Sequence, residues 1–257
     1  MMTGRRWIRR AGPAIFALAL LYPFSAVFAH IGPWQWTPDV RGPALASIRI
    51  SLLLTGLAML IIVALGTPVA AYVASCRRRE RLVWQGVLLV PILLPPLALG
   101  ILISLAFGPN GSVGAWLQNY GVAMTNSATA FVLTQVYVGM GYYVLGAVAA
   151  LDSVPASLQK QAALLGLTPR QVFFRVTLPL SQLGLGVALS LAWVRAIGEF
   201  GAVVVTAYYP AGMPVQLWVN LENFGLPAVM PLLMVFLAVA LPIPWLIHVL
   251  AQRSRHA

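Results

Sequence analysis

Long apolar stretches restrict what this chain can fold into more than any other feature of its sequence. Crossing the hydrocarbon core of a bilayer takes about 20 mostly apolar residues. Only 8% of the residues are charged, whereas soluble domains carry about 25%, so a water-soluble globule of this size could not cover its surface. The chain is therefore predicted to be an integral membrane protein. The six predicted spans are residues 12–30, 47–75, 82–107, 127–150, 178–207 and 229–251.

The positive charges support this count and predict the orientation of the spans. The chain has 16 Lys and Arg residues against 5 Asp and Glu, and cations accumulate in the cytoplasmic loops of membrane proteins. If both termini are cytoplasmic, every cation except Arg41, Arg49 and Arg195 falls on the cytoplasmic side. Membrane topology thus accounts for the cations, and we expect no nucleic-acid partner.

The fold class follows from the same stretches. They lack the two-residue alternation of barrel strands, so membrane-spanning helices are expected. No low-complexity segment or long linker interrupts the chain, so residues 1–257 are expected to form one all-α, multi-pass transmembrane domain.

The sequence offers no set of side chains for catalysis or metal binding. A single cysteine, Cys76, excludes an internal disulfide and a cysteine-based zinc site, and the three histidines are scattered. The only lysine, Lys160, follows a glutamine, so the Gly-Lys-Ser/Thr loop that binds nucleotide phosphates is absent. We therefore expect no catalytic residue, metal or cofactor in this chain.

The longest cytoplasmic segment, residues 152–178, is predicted to form two short helices. Ser153 can cap the first helix, and Pro155 suits its first turn. Gly166 suits a left-handed stop after that helix, and Thr168 can cap the second.

An apolar stripe runs along the first of these helices. Leu158, Ala162 and Leu165 recur at helical spacing, while Lys160 and Gln161 lie off the stripe. A short helix with such a stripe can dock in a groove of a partner protein. The stripe can equally pack against the ends of the protein's own spans, and the sequence does not decide between the two.

The end of this segment resembles a known signature. The cytoplasmic motif of bacterial ABC-importer permeases is Glu-Ala-Ala, three residues, Gly, nine residues and then Ile-x-Leu-Pro. The second half of this motif is similar to the present chain, in which nine residues separate Gly166 from Val-Thr-Leu-Pro. At the Glu-Ala-Ala positions this chain has Lys-Gln-Ala, so a base replaces the acid. The resemblance implies a coupling helix that docks on a separate ATPase. The implied coupling residues are Lys160, Gln161, Ala162, Gly166, Leu178 and Pro179.

Three further motifs extend the resemblance, in order, over about residues 45–245. Residues 91–96, Pro-Ile-Leu-Leu-Pro-Pro, followed by Gly100, look like the proline-rich third span of molybdate/tungstate and sulfate permeases. Residues 198–202, Gly-Glu-Phe-Gly-Ala, are similar to a stretch of the same subgroup. Residues 207–210, Ala-Tyr-Tyr-Pro, resemble the molybdate/tungstate branch more than the sulfate branch.

The resemblance implies a function and its partners. It implies a type I ABC-importer permease fold in the bacterial inner membrane, with import of a tetrahedral oxyanion by alternating access. Molybdate or tungstate is favoured over sulfate or thiosulfate. Also implied are a second permease copy, an extracytoplasmic substrate-binding protein, and an ATPase subunit that binds ATP and Mg²⁺. Without the resemblance, a membrane anchor or scaffold subunit of an enzyme complex remains an alternative.

Two features within the predicted spans point to a translocation pathway. Arg195 and Glu199 are four residues apart and so share one helix face. Ionisable groups in a bilayer face the bundle interior or a wet pathway, so this pair either lines the pathway or locks helix packing. Pro91, Pro95 and Pro96 should kink or break the third span, which can open a path or serve packing alone. The candidate pathway residues are Pro95, Pro96, Arg195, Gly198, Glu199, Phe200 and Gly201.

Overall fold

A computed structural model describes residues 3–29 and 35–253, and all regular secondary structure within these ranges is helical. The predicted all-α class is thereby confirmed. Arg255, one of the cations assigned to the cytoplasmic side, lies outside the described residues. The helices are α1 (Thr3–Ala29), α2 (Pro38–Ser75), α3 (Arg78–Leu93), α4 (Pro96–Phe107), α5 (Ser112–Gln118), α6 (Ala128–Asp152), α7 (Ala156–Leu164), α8 (Pro169–Val172), α9 (Leu178–Leu180), α10 (Gln182–Ile197), α11 (Val203–Thr206), α12 (Met213–Phe224), α13 (Leu226–Ala240) and α14 (Pro242–Arg253).

Four of the predicted spans correspond to helical segments of the expected apolar character. Helices α2 and α6, and the segment Leu226–Ile247 of α13 and α14, are long and apolar enough to cross a membrane. Within α1, Gly12–Ser25 is a shorter apolar helix. These segments confirm several membrane spans, although α2 begins at Pro38, ahead of the predicted start at residue 47.

The other two predicted spans are interrupted, as predicted for residues 82–107, whereas no break was predicted within residues 178–207. Helices α3 and α4 are bent by 106° at the residues between them. The prediction that prolines break this span is confirmed, because α3 ends at Leu93 and Pro95 caps α4. Proline has no backbone N–H to donate to the carbonyl four residues earlier, and its ring disfavours helical geometry in the residue before it.

The fifth predicted span is interrupted twice. The helical segment that leads into α10, Pro169–Leu180, is bent by 72° from it. Helix α10 then ends at Ile197, and the chain becomes helical again only at Val203. The two interruptions leave α10 as a separate helix of 16 residues.

Helix α6 lies at the centre of the bundle and packs between α2 and α10. Small residues bring α6 and α10 close together. A Cβ atom on Gly146 would lie 2.7 Å from the Cβ of Ala188, and one on Gly184 would lie 2.5 Å from the Cβ of Ala150. Membrane helices use such close approach because lipid provides no hydrophobic drive for their association.

The predicted spans leave an interval at residues 208–228, and this interval contains helix α12. Its Met213 is fully buried, and the Met213 backbone N–H donates to Ser51 Oγ of α2 at 2.7 Å. Asn220 is also fully buried and donates to the Ala228 carbonyl at 3.3 Å. Helix α12 is therefore part of the packed bundle and not a free loop.

Candidate functional site

The first candidate region is the segment between α6 and α10, and its helix caps are partly as predicted. Gly166 has φ = +86°, which confirms the left-handed stop after α7. The assignment of Ser153 as the cap of α7 is wrong. Helix α6 extends to Asp152, so Ser153 has helical backbone angles, whereas a helix N-cap has an extended backbone. Pro155 takes the cap position instead of the first turn.

The predicted cap of the second short helix is confirmed. Thr168 and Gln171 form a reciprocal capping box, in which the Thr168 N–H donates to Gln171 Oε1 at 2.9 Å and the Gln171 N–H donates to Thr168 Oγ1 at 3.4 Å. A π-helical turn, Phe173–Thr177, then leads to Pro179. In a regular α-helix the ring of Pro179 would collide with the carbonyl of Arg175, and the wider turn accommodates it.

Part of the apolar stripe on α7 packs against the protein's own helices, and part of it is left available to a partner. Ala162 is buried against the protein's own helices. Leu165 is 82% exposed, so this chain does not cover it, whereas Leu158 is 39% exposed and is covered in part. The neighbouring Leu164 is 87% exposed. The packing explanation therefore holds for Ala162 and partly for Leu158, and Leu164 and Leu165 form an uncovered apolar surface.

The second candidate region is the gap between α10 and α11, where Arg195 and Glu199 form the predicted ion pair. Arg195 Nη1 donates to Glu199 Oε2. The other carboxylate oxygen, Oε1, accepts from the Ala202 backbone N–H at 2.6 Å. The Glu199 side chain is 1% exposed and that of Arg195 is 26% exposed. The carboxylate thus links the last turn of α10 to the start of α11.

The interruptions of the two broken spans lie against each other. A Cβ atom on Gly201 would lie 2.8 Å from Pro96 Cβ, and one on Gly100 would lie 2.8 Å from the Ala202 carbonyl oxygen. The proline-rich motif and the Gly-Glu-Phe-Gly-Ala motif, about a hundred residues apart in the chain, therefore meet where each helix is broken. Among the candidate pathway residues, the structure brings together Pro96, Gly201 and the flanking pair, Arg195 and Glu199.

Buried hydrogen bonds hold the helices around this gap. Gln135 of α6 donates to Thr55 Oγ1 of α2 and to the Ala196 carbonyl of α10, each at 3.0 Å. The hydroxyls of Thr134 and Thr206 are 2.7 Å apart and share a hydrogen bond. No sequence pattern identifies Thr55 or Thr206 in these roles, because a single threonine in an apolar helix is common. Their positions follow only from the packing.

Metal binding finds no support in the described part of the chain. No group of three or more His, Cys, Asp or Glu side chains there could hold a metal ion.

Apolar spans, two of them interrupted, define a multi-pass membrane protein, and its helical loop exposes leucines to a partner. The chain belongs to the family of binding-protein-dependent transport system inner membrane components, whose sequence model matches residues 62–256. This result confirms the predicted membership among ABC-importer permeases.

Individual proteins that are similar in sequence to this chain are also transport permeases. The probable molybdenum ABC transporter permease of Haloferax volcanii is 34% identical over 237 residues, which cover 92% of this chain and 87% of that protein. The molybdenum transport system permease ModB of Mycobacterium tuberculosis is 33% identical over 208 residues, which cover 79% and 76%. The sulfate transport system permease CysW of Synechocystis sp. is 27% identical over 247 residues, which cover 93% and 90%.

Solved structures confirm the predicted importer-permease fold. A chain of the bacterial alginate ABC transporter, in complex with its pentasaccharide-bound periplasmic protein, superposes with a TM-score of 0.76 at 18% identity and covers 97% of this chain and 96% of that one. The inward-facing MetNI methionine ABC transporter gives a TM-score of 0.70 at 16% identity and covers 85% and 99%. At these identities the similarity establishes the fold alone.

Proposed function

We propose that this chain is the membrane-spanning subunit of an ATP-driven importer of molybdate or tungstate. The observation that carries the substrate assignment is the 33–34% identity to permeases named for molybdenum, against 27% to the sulfate permease. Transport follows alternating access, with both termini of the chain in the cytoplasm.

Arg195 is proposed to contact the anion during its passage. A guanidinium has five N–H donors in a planar fork that suits oxyanions, and the pairing with Glu199 occupies Nη1. The side chain is 26% exposed, so its remaining donors are accessible. Because Glu199 neutralises most of the charge, Arg195 would bind the anion only weakly, which suits transit. Pro95, Pro96, Gly198, Phe200 and Gly201 are proposed to shape this part of the pathway.

The leucines of α7 are proposed to dock on an ATPase subunit that binds ATP and Mg²⁺. Leu164 and Leu165 are more than 80% exposed, and exposed apolar side chains grouped together mark interaction sites. Lys160 and Gln161 are exposed on the same helix. The assembly is proposed to contain two copies of this chain and to receive its substrate from an extracytoplasmic binding protein.

Leu165→Asp is expected to weaken ATPase association at least about tenfold. Burying a leucine contributes about 1.5–3 kcal/mol, and 1.4 kcal/mol corresponds to a factor of ten in affinity. The chain itself should fold normally, because the side chain is 82% exposed. Co-purification of the ATPase with the tagged chain measures the effect. Ser157→Asp, also exposed on α7, is the matched control, and equal ATPase recovery from both variants would contradict the docking surface.

The substrate assignment is tested by uptake into proteoliposomes. The complete complex with its binding protein is expected to accumulate molybdate or tungstate only when ATP is supplied. A hundredfold excess of sulfate is expected to leave this uptake largely intact. If sulfate competes as well as unlabelled molybdate, the sulfate assignment replaces the present one. If no oxyanion accumulates while the ATPase is bound and active, the oxyanion assignment fails.

A further inference from the structure

A cavity of about 640 Å³ separates α7 from the ends of α2 and α6. Its volume falls within the range of small-molecule sites, roughly 300–1,000 Å³. The α7 wall consists of Ala156, Gln159, Lys160 and Ala163, whose spacing places them on one helix face. Helix α7 is therefore held away from the spans along this whole face.

The floor of the cavity is apolar. Helix α2 contributes Ala71 and Ala74, α6 contributes Leu151, and the segment that follows α8 contributes Phe173. The side chains from α2 are small, and Leu151 and Phe173 add larger apolar surface to the lining. Such a floor accommodates hydrocarbon and disfavours a small hydrated ion.

One cation, Lys160, lines the cavity. Lys160 is exposed and makes no ion pair within the described residues. Asp152 also lines the cavity, but its carboxylate is engaged by Arg81. Ser75 forms the edge at the end of α2, and the exposed Arg77 follows it by two residues, at most about 7 Å along the chain.

We infer that this cavity binds one phospholipid of net negative charge, holding its head group and the first methylenes of its acyl chains. The methylenes match the apolar floor, and the phosphate matches Lys160, with Arg77, Arg78 and Arg79 close in the chain to Ser75 at the cavity edge. Basic pockets at the ends of transmembrane helices recognise anionic head groups in this way. A soluble anion has no hydrocarbon to fill the apolar floor of the cavity. A zwitterionic lipid has no net negative charge to balance the cations.

The opposite face of α7 remains available to a partner. Leu158 and Leu165 lie on that face, and both are exposed. Lipid and a docked subunit can therefore occupy the two sides of this short helix together. The inference requires only that the chain is a membrane protein, so it is independent of the proposed substrate and of the proposed ATPase contact.

Native mass spectrometry of the full-length chain tests the lipid site. The protein is purified in a mild detergent with equal amounts of phosphatidylglycerol and phosphatidylcholine. One phosphatidylglycerol is expected to be retained in preference to phosphatidylcholine. Lys160→Gln is expected to reduce this preference roughly fivefold, because one cation near an anionic head group contributes about 1 kcal/mol. Arg41→Gln, an exposed cation at the opposite end of α2, is the matched control and should leave it unchanged.

A second variant tests the cavity itself. Ala163→Trp fills the space from the α7 side and is expected to abolish lipid retention. If this variant does not fold, Lys160→Gln remains decisive, because its exposed side chain has no role in packing. Equal retention of both lipids, or no effect of Lys160→Gln, would overturn the inference. Displacement of phosphatidylglycerol when the ATPase complex assembles would also overturn it, because the cavity would then belong to the partner protein.

Discussion

Arg195→Met is expected to lower the free energy of unfolding by about 3–5 kcal/mol, the cost of leaving one member of a buried ion pair without its partner. The Glu199 carboxylate is 1% exposed and would keep only the Ala202 N–H as a donor. Glu199→Gln is expected to cost less, because Arg195 is 26% exposed and can still be solvated. Unfolding in mild detergent by titration with sodium dodecyl sulfate measures both variants.

The double variant Arg195→Met/Glu199→Gln separates pairing from packing. It removes both charges and is expected to be more stable than Arg195→Met alone. Arg49→Met is the matched control, because Arg49 also lies within a predicted span but is exposed and makes no ion pair in the described residues. Simple additivity of the two single changes would show that the charges do not stabilise each other.

Gly100→Leu is expected to force the two helix interruptions apart. Its Cβ would lie 2.8 Å from the Ala202 carbonyl oxygen and 2.9 Å from the Ala202 Cα. Because these are backbone atoms, the whole connection between α10 and α11 must shift. Overpacking of this kind costs about 1–3 kcal/mol, and we expect a lower melting temperature together with loss of uptake. Scanning fluorimetry and the proteoliposome assay measure the two effects.

Gly86→Leu is the matched control for this change. Gly86 also lies in the third predicted span, but no atom lies within 4 Å of its added Cβ, so the same substitution should be tolerated there. If Gly100→Leu melted and transported like Gly86→Leu, the two interruptions would not be packed against each other as described.

Much of the fold is predictable from local chemistry. Apolar length and charge placement predict the membrane spans, because the bilayer requires both. The break at Pro95 and the caps at Gly166 and Thr168 follow from backbone restrictions that act within a few residues. The i, i+4 spacing of Arg195 and Glu199 predicts their contact for the same reason.

The features missed depend on tertiary contacts. Gly198 disfavours continuation of α10 past Ile197, but a single glycine within an apolar span does not by itself predict a break. The interruption is stabilised by the Glu199 carboxylate, which accepts from Ala202 across the gap. In the sequence, helix α12 is only an interval between predicted spans. Its place in the bundle follows from tertiary contacts such as the hydrogen bond from the Met213 N–H to Ser51 of α2. The wrong cap at Ser153 has a similar origin, since the packed helix α6 extends to Asp152 and Ser153 ends that helix instead of starting α7.

Helix α10 connects the two candidate regions as one uninterrupted helix. Its 16 residues give a length of about 24 Å at 1.5 Å per residue. One end follows the bend below the α7–α8 loop, and the other ends at the gap bridged by Glu199. For a rod of that length, a tilt of about 10° about its loop end carries the far end about 4 Å sideways. A small movement of the loop would thereby be amplified into a displacement larger than an atomic diameter at Arg195.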